Sequence, residues 1–255
     1  MATYNRADAL LLVLQSIANQ KLQPDEVIIA DDGSNEATKN LLLNFKKKSN
    51  FNIIHSFQED RGFRAAESRN KAIALASFDY IVLIDGDMVL HPKFLYDHAN
   101  NAKAGFFIQG SRVLLTKKKT SEVINTHHKN FSFFSVGLMN RLNALHSIFL
   151  SQIFSIKRND LKGIKTCNMS FYKKDFLSIN GFNNDFIGWG REDSDFASRL
   201  INIGIKRRTL KFNAIQYHLW HKKNNRKSLA INDEILQKTI DNKLTWCDNG
   251  IDRFL

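Results

Sequence analysis

The chain has 255 residues and a mass of 29.3 kDa; 43% of its residues are hydrophobic and 24% charged, the proportions of a soluble globular protein with a sizeable core. No apolar run reaches the ~20 residues needed to cross a bilayer, and no leader-like segment opens the chain, so a membrane-spanning or secreted protein is not expected. The formal net charge of +12 and pI near 9.7 favour a polyanionic partner: nucleic acid, an acidic membrane surface or a phosphorylated substrate.

Leu10, Leu11, Leu14, Ile17 and Ala18 recur at helical spacing in "RADALLLVLQSIANQ", and Pro24 ends that segment. "EVIIA" follows as a short apolar strand running into "DDGS". A helix is predicted around "ATKNLLLNFKKK", a strand at "FNIIHS", a helix at "RAAESRNKAIALA" and a strand at "YIVLIDGDMVL". Short apolar strands separated by helices predict a mostly parallel sheet covered on both faces. Ligands of such sheets bind beyond the carboxyl ends of the strands, where "ADDGS" and "LIDGD" both lie.

The second half loses this rhythm. Residues 117–165 are basic and Phe-rich, with helical periodicity but no clean polar face. "TCNMSFY" reads as a strand, "KKDFLSIN" as a short helix stopped by Gly181, "FASRLINI" as a helix, and "KRRTLKFNAIQYHLWH" as one or two strands. Basic runs stand at 46–48, 117–119, 206–208 and in "HKKNNRK" at 221–227; each is equally readable as a solvated surface. Cys167 and Cys247 lack metal-type spacing and read as free thiols of a reducing compartment.

Five stretches carry candidate chemistry. In "LIDGD", a bend through Gly86 would turn Asp85 and Asp87 toward one site. Hard divalent cations such as Mg2+ or Mn2+ take such oxygens together with those of a phosphate. A lone Asp-Gly is also a good hairpin turn. In "DDGS", Asp31 or Asp32 could accept a nucleobase N–H or simply stabilise the next helix start. Arg64 and Arg69 of "RGFRAAESRNKAI" could hold phosphate or a base carbonyl. His218 and His221 of "YHLWH" would meet only through a bend. Finally, "GWGREDSDF" sets Trp189 between two glycines, followed by Glu192, Asp193 and Asp195. These acids are either the first turn of a helix or the wall of a catalytic pocket.

In this order, "TYNR", "DDGS", a basic helix start, "DGD", "INGF…GWGRED" and "YHLWH" resemble the GT-A nucleotide-sugar glycosyltransferases, over residues 2 to about 225. The bacterial family that includes chondroitin polymerase catalytic domains is the nearest likeness. The stretch from "TCNMSFY" to "DFASRL" is also similar to animal beta-1,4-galactosyltransferases. The resemblance implies a single GT-A domain, with a nucleotide-sugar half over 1–115 and an acceptor half over 116–255. It implies nucleotide contacts from Thr3, Tyr4, Arg6, Asp32, Arg64 and Asp85, and a Mn2+ (or Mg2+) held by Asp87 with His218, His221 or both. It makes Asp193 the general base, Glu192 a hydroxyl binder and Trp189 a sugar platform.

Two departures accompany the likeness. The chain opens inside the expected first strand, and Arg191 replaces a usual glycine, where it would hold an anionic acceptor or face solvent. The implied reaction is metal-dependent, inverting transfer of a hexose from a UDP-sugar to a surface-glycan acceptor, a lipo-oligosaccharide or capsule precursor. The expected place is the cytoplasm, peripheral to the inner face of the membrane and in contact with anionic lipid, with no nucleic acid partner. Alternatives are transfer of an N-acetylhexosamine from its UDP-sugar, or a catalytically dead basic module binding membrane or RNA. Residues 131–158 bear on that placement, because they read either as an internal helix pair or as an amphipathic membrane-facing surface.

Overall fold

A computed structural model describes residues 1–127, 130–222 and 224–255. The remaining positions, in the Phe-rich segment and the "HKKNNRK" run, lie outside the described residues. The first sheet forms from β1 (Ala2–Thr3), β2 (Glu26–Asp31) and β3 (Asn52–Phe57), all parallel, with Thr3 opposite Asp31 and Asp31 opposite Phe57. Helix α1 (Ala7–Ala18) lays Leu10, Leu14 and Ile17, as their spacing predicts, and also Val13 into the core shared with Val27, Ile29 and Ile53. Helix α2 (Glu36–Lys46) starts where the Asn35 side chain accepts from the Ala37 N–H, which satisfies one of its free first-turn donors. Helix α3 (Ala65–Ala74) completes this half.

The predicted strand over "YIVLIDGDMVL" is two. β4 (Tyr80–Ile84) and β5 (Met88–Leu90) belong to different sheets, and the chain crosses between them at Asp85-Gly86-Asp87. The crossing is tight: a Cβ on Gly86 would lie 3.0 Å from Thr3 Oγ1. Next come α4 (Phe94–Asn101), β6 (Phe106–Gln109), β7 (Val113–Leu115), α5 (Lys117–Thr126) and β8 (Leu138–Met139). They are followed by α6 (Ile148–Phe154), β9 (Ile156–Arg158), β10 (Asn168–Tyr172), α7 (Lys173–Leu177), α8 (Glu192–Asn202), β11 (Lys206–Thr209), β12 (Gln216–His218) and α9 (Leu229–Asp241).

The second sheet runs β4-β10-β6-β11-β9 and the third β5-β12-β7-β8. β10 is antiparallel to both of its neighbours, whereas β6–β11 and β7–β12 are parallel. The fold is therefore mixed α/β and flanked by helices, with parallel and antiparallel pairings side by side and the purely parallel part confined to the first sheet. Part of the phenylalanine excess is core: Phe171, Phe176, Phe182 and Phe196 stack on one another at 4.5–5.6 Å between ring centroids, spacings at which aromatic pairs attract.

The Phe-rich stretch does not form the internal helix pair. Only α6, seven residues long, is α-helical within 131–158, together with a 3-10 turn at Arg141–Ala144. Its large apolar side chains are mostly on the surface, with Phe134 82% and Phe149 68% exposed. Apolar spacing alone misleads here, because most of the side chains that set the period stay on the surface, while Leu138 and Phe131 pack into the core.

Candidate active site

The Asp85-Gly86-Asp87 crossover ends β4 and begins β5, so its two carboxylates stand at the carboxyl end of the sheet. Strand β12 is antiparallel to β5 with His218 opposite Met88, and the Leu219 N–H donates to the Asp87 carbonyl at 3.0 Å. This ladder sets His218 beside Asp87. The chain then bends, with the Trp220 N–H bonded to Thr120 Oγ1 at 2.8 Å, and the bend returns His221 to the same point. Both imidazole Nε2 atoms lie 3.3 Å from Asp87 Oδ2, so the structure brings both histidines to one carboxylate.

The donor set fits a divalent cation on three grounds. The ligand atoms of Asp87, His218 and His221 lie within 4.8 Å of one another. The other oxygen of Asp87, Oδ1, is buried with no hydrogen-bond partner among the described residues. His221 Nδ1 meets the Lys222 carbonyl at 2.8 Å; as donor there it leaves the Nε2 lone pair for coordination. Two imidazoles beside one carboxylate are a ligand set that transition ions accept. Burial opposes ionisation of Asp87, yet the histidines outweigh it and hold the carboxyl below its ordinary range.

Arg69 is the second centre. It is buried on α3, and its guanidinium lies 3.4 Å from Asp85, 3.4 Å from Glu192 and 3.5 Å from Asp193. Burial alone would lower its pKa, but Asp85, Asp193 and Glu192 raise it overall. One permanent cation thus gathers three carboxylates from β4 and the start of α8. Burial raises Asp85 above the usual carboxylate range, and burial together with Asp193 pushes Glu192 up to about 7. Asp193 is oriented from its other side by Thr166, whose hydroxyl and backbone N–H donate to it at 2.6 and 3.1 Å. Cys167 is buried and free, with its thiol pushed to about 12 by burial and by the site's carboxylates, which leaves it unreactive.

The acidic run divides by role. Glu192 and Asp193 face Arg69, whereas Asp195 is buried between Arg199 and Thr239, at 2.7 and 2.6 Å, and braces α8 against α9. The preceding bend uses left-handed backbone at Gly188 (φ 79°), Gly190 (φ 108°) and Arg191 (φ 78°). A Cβ on Gly188 would come within 2.3 Å of the Ser228 hydroxyl. Asn232 of α9 donates to the Gly190 carbonyl at 2.9 Å, and the Arg226 guanidinium sits 5.0 Å from the Trp189 ring centroid. Trp189 is therefore held half-exposed as a fixed ledge. Arg191 is exposed and pairs with Asp233 of α9.

On the nucleotide side, Thr3 is buried with its hydroxyl unpartnered against the crossover. Tyr4 is exposed, with its hydroxyl donating to Asp60 at 2.8 Å, and Arg6 pairs with Asp8 at 3.2 Å. Asp32 is committed to the chain itself: it accepts from the Gln58 side chain at 2.6 Å and the Arg64 N–H at 2.7 Å, fixing the 58–64 loop. The Arg64 guanidinium turns to Glu67 and to the Glu59 carbonyl, at 2.7 and 2.5 Å.

Known proteins place this arrangement. Residues 1–177 match the family described as Glycosyl transferase family 2, and residues 152–222 match the N-terminal domain of galactosyltransferase. The chain belongs to glycosyl transferase family 2. It is 29% identical to a validoxylamine A glucosyltransferase of Streptomyces hygroscopicus subsp. jinggangensis, over 80% of this chain and 50% of that protein. It is 26% identical to the chondroitin synthase of Escherichia coli, over 85% of this chain and 33% of that protein. The chain thus spans half or less of the length of these relatives. Among solved structures, Staphylococcus aureus TarS superposes with TM-score 0.62 at 15% identity, covering 99% of this chain and 40% of that one. A mannosyltransferase of Pyrobaculum calidifontis, solved with GDP-Man and Mn2+, superposes with TM-score 0.58 at 16% identity, covering 95% and 61%. These likenesses establish the GT-A fold.

Within this family-2 chain, the structure brings Asp85, Asp87, Glu192, Asp193, His218 and His221 to one locus and sets Arg69 and Thr166 beside them. Thr166 belongs to no motif, and Arg69, a candidate for phosphate or a base carbonyl from sequence, instead gathers the site's carboxylates.

Proposed function

We propose that the protein is a metal-dependent, inverting glycosyltransferase that moves a hexose from a UDP-sugar to a hydroxyl of a surface-glycan acceptor, such as a lipo-oligosaccharide or capsule precursor. The observation that carries this reading is the adjacency of two centres. A three-ligand cation site at Asp87, His218 and His221 stands next to the carboxylates that Arg69 gathers. Glycosyl transfer needs a nucleophilic hydroxyl and a stabilised diphosphate leaving group. A divalent cation at the three ligands supplies the second by neutralising developing charge.

The chain's residues supply the rest. Asp193, aimed by Thr166 and Arg69, accepts the proton of the acceptor hydroxyl as general base. One base acting opposite the leaving group gives inversion at the anomeric carbon. Glu192 binds sugar hydroxyls, and Trp189 offers its face as a sugar platform. Thr3, Tyr4, Arg6, Asp32, Arg64 and Asp85 contact the nucleotide, and the bonds of Asp32 to Gln58 and to the Arg64 N–H also fix the loop beside it. Residues 1–115 form the nucleotide-sugar half and 116–255 the acceptor half.

The donor class follows the names of the relatives. A glucosyltransferase favours a hexose, whereas the Staphylococcus aureus poly-beta-1,6-N-acetyl-D-glucosamine synthase, 32% identical over 103 residues, keeps N-acetylhexosamine as the second reading. Release of UDP from UDP-glucose, UDP-galactose and the two N-acetylated analogues, with Mn2+ or EDTA, tests both. Hexose turnover that stops in EDTA is expected; turnover of the N-acetylated donors alone would select the second reading, and no turnover of any would refute both.

A further inference from the structure

We propose that helix α6 and the basic cleft beside it form a docking surface for an anionic phospholipid membrane. This inference does not depend on the transferase reading. A surface helix ordinarily buries its apolar stripe and shows its polar one, but α6 does the reverse. Ser151 is its one fully buried residue, 3% exposed and bonded to the Ser155 hydroxyl at 3.0 Å, while Ile148, Phe149, Ile153 and Phe154 are each more than half exposed. Ile156, at the start of β9, continues the apolar surface.

The helix runs directly into a cationic hollow. Ser155, which follows α6, lines a cavity of about 210 Å3 with Lys103, Phe106, Lys157 and Arg208. The ammonium groups of Lys103 and Lys157 stand 5.8 and 5.5 Å from the centre of the Phe106 ring. In the β9–β11 ladder Lys157 lies directly opposite Arg208, a like-charge pairing that destabilises a sheet. Among the described residues, none of these three cations has a carboxylate within 4.0 Å. Neighbouring Arg158 and Arg207, by contrast, share Asp160. An anion in the hollow would relieve the repulsion.

An exposed apolar helix face joined to unpaired cations matches the layers of an acidic bilayer, acyl boundary beside phosphate headgroups. A nucleic acid or a soluble phosphate would leave the apolar face unused. A second copy of the chain would set the same three cations near one another.

The test is sedimentation of the whole chain with vesicles of phosphatidylcholine, alone or mixed with phosphatidylglycerol. Binding is expected to the mixed vesicles at low salt, to weaken at about 0.5 M salt as screening shortens the range of the charges, and to be at least 10-fold weaker on phosphatidylcholine. Lys103→Gln with Lys157→Gln should weaken it about 25-fold, at roughly fivefold per charge near an anionic surface. Phe149→Ser with Ile153→Ser should abolish it. Both pairs change surface side chains, so melting temperatures should match wild type. Replacing Lys46, Lys47 and Lys48 by Gln should cost far less. The proposal is overturned if wild type does not sediment, if the α6 and cleft variants sediment like wild type, or if the 46–48 variant loses as much. It is also overturned if the α6 variant converts a wild-type dimer to a monomer, because the face would then be a self-association surface.

Discussion

Asp193 accepts two hydrogen bonds from Thr166 and lies 3.5 Å from Arg69, so its position is fixed before any substrate arrives. Asp193→Asn keeps that shape and removes the proton acceptor. Turnover should fall ~100-fold or more, the scale of general-base loss, while UDP affinity measured by calorimetry stays within a few-fold. Lost UDP binding with intact turnover would make Asp193 a structural helix-start residue. Glu192 gives a pH prediction. Its pKa rises from 4.5 in the unfolded chain to about 7 in the folded one, so the folded state holds a proton that the unfolded state has released. The stability that Glu192 contributes is fully present below pH 4.5 and is lost as the pH rises through about 7. Glu192→Gln should remove that loss, gaining on wild type by roughly 3 kcal/mol between pH 5 and 8 in denaturant titrations; parallel curves would refute the assignment. At this scale the motifs were legible because they carry chemistry in their residue types. Arg69 was not separable from Arg64, since both are arginines near one helix start, and only the packing of α3 under Asp85 decides between them.

Helix α9 shows what an element contributes without a motif. It lies beyond the family-like stretch, yet its Asn232, Asp233 and Thr239 hold the Trp189 bend, Arg191 and Asp195 respectively. Asn232→Ala frees the Gly190 carbonyl and should raise the acceptor KM more than it lowers stability, as read by steady-state kinetics beside a thermal melt. Arg191 stands at φ 78°, where a glycine costs less, and its exposed pair with Asp233 contributes little. Arg191→Gly should therefore leave turnover within a few-fold and change stability by no more than about 1 kcal/mol, upward if the backbone term wins; a large loss of acceptor binding would restore it to the acceptor site. The strands and helices of residues 1–80 were readable because period and length agree there. The break of 80–90 into β4 and β5 was not, because an apolar run carries no mark of changing sheets. Of the two readings of the Phe-rich stretch, the internal helix pair fails, because exposed apolar residues imitate the period of buried ones.

For the whole molecule, the parallel β1–β2–β3 sheet and the crossover at Asp85–Asp87 bring the strand ends together, and α8 and α9 close the site from the second half. The alternation of the first half made the α/β class legible. Antiparallel β10 was not, since a central strand reads alike in either direction. The net charge of +12 also finds part of its meaning only in three dimensions, where Lys103, Lys157 and Arg208, far apart in sequence, line one hollow. The central claim is that a divalent cation at Asp87, His218 and His221 joins the protein to the donor's diphosphate. Calorimetric titration of UDP with Mn2+ and then with EDTA, for wild type and Asp87→Ala, tests it most directly. The account predicts saturable UDP binding by wild type only with Mn2+, and its loss in Asp87→Ala at an unchanged melting temperature. Equal UDP binding by both proteins in EDTA would contradict it.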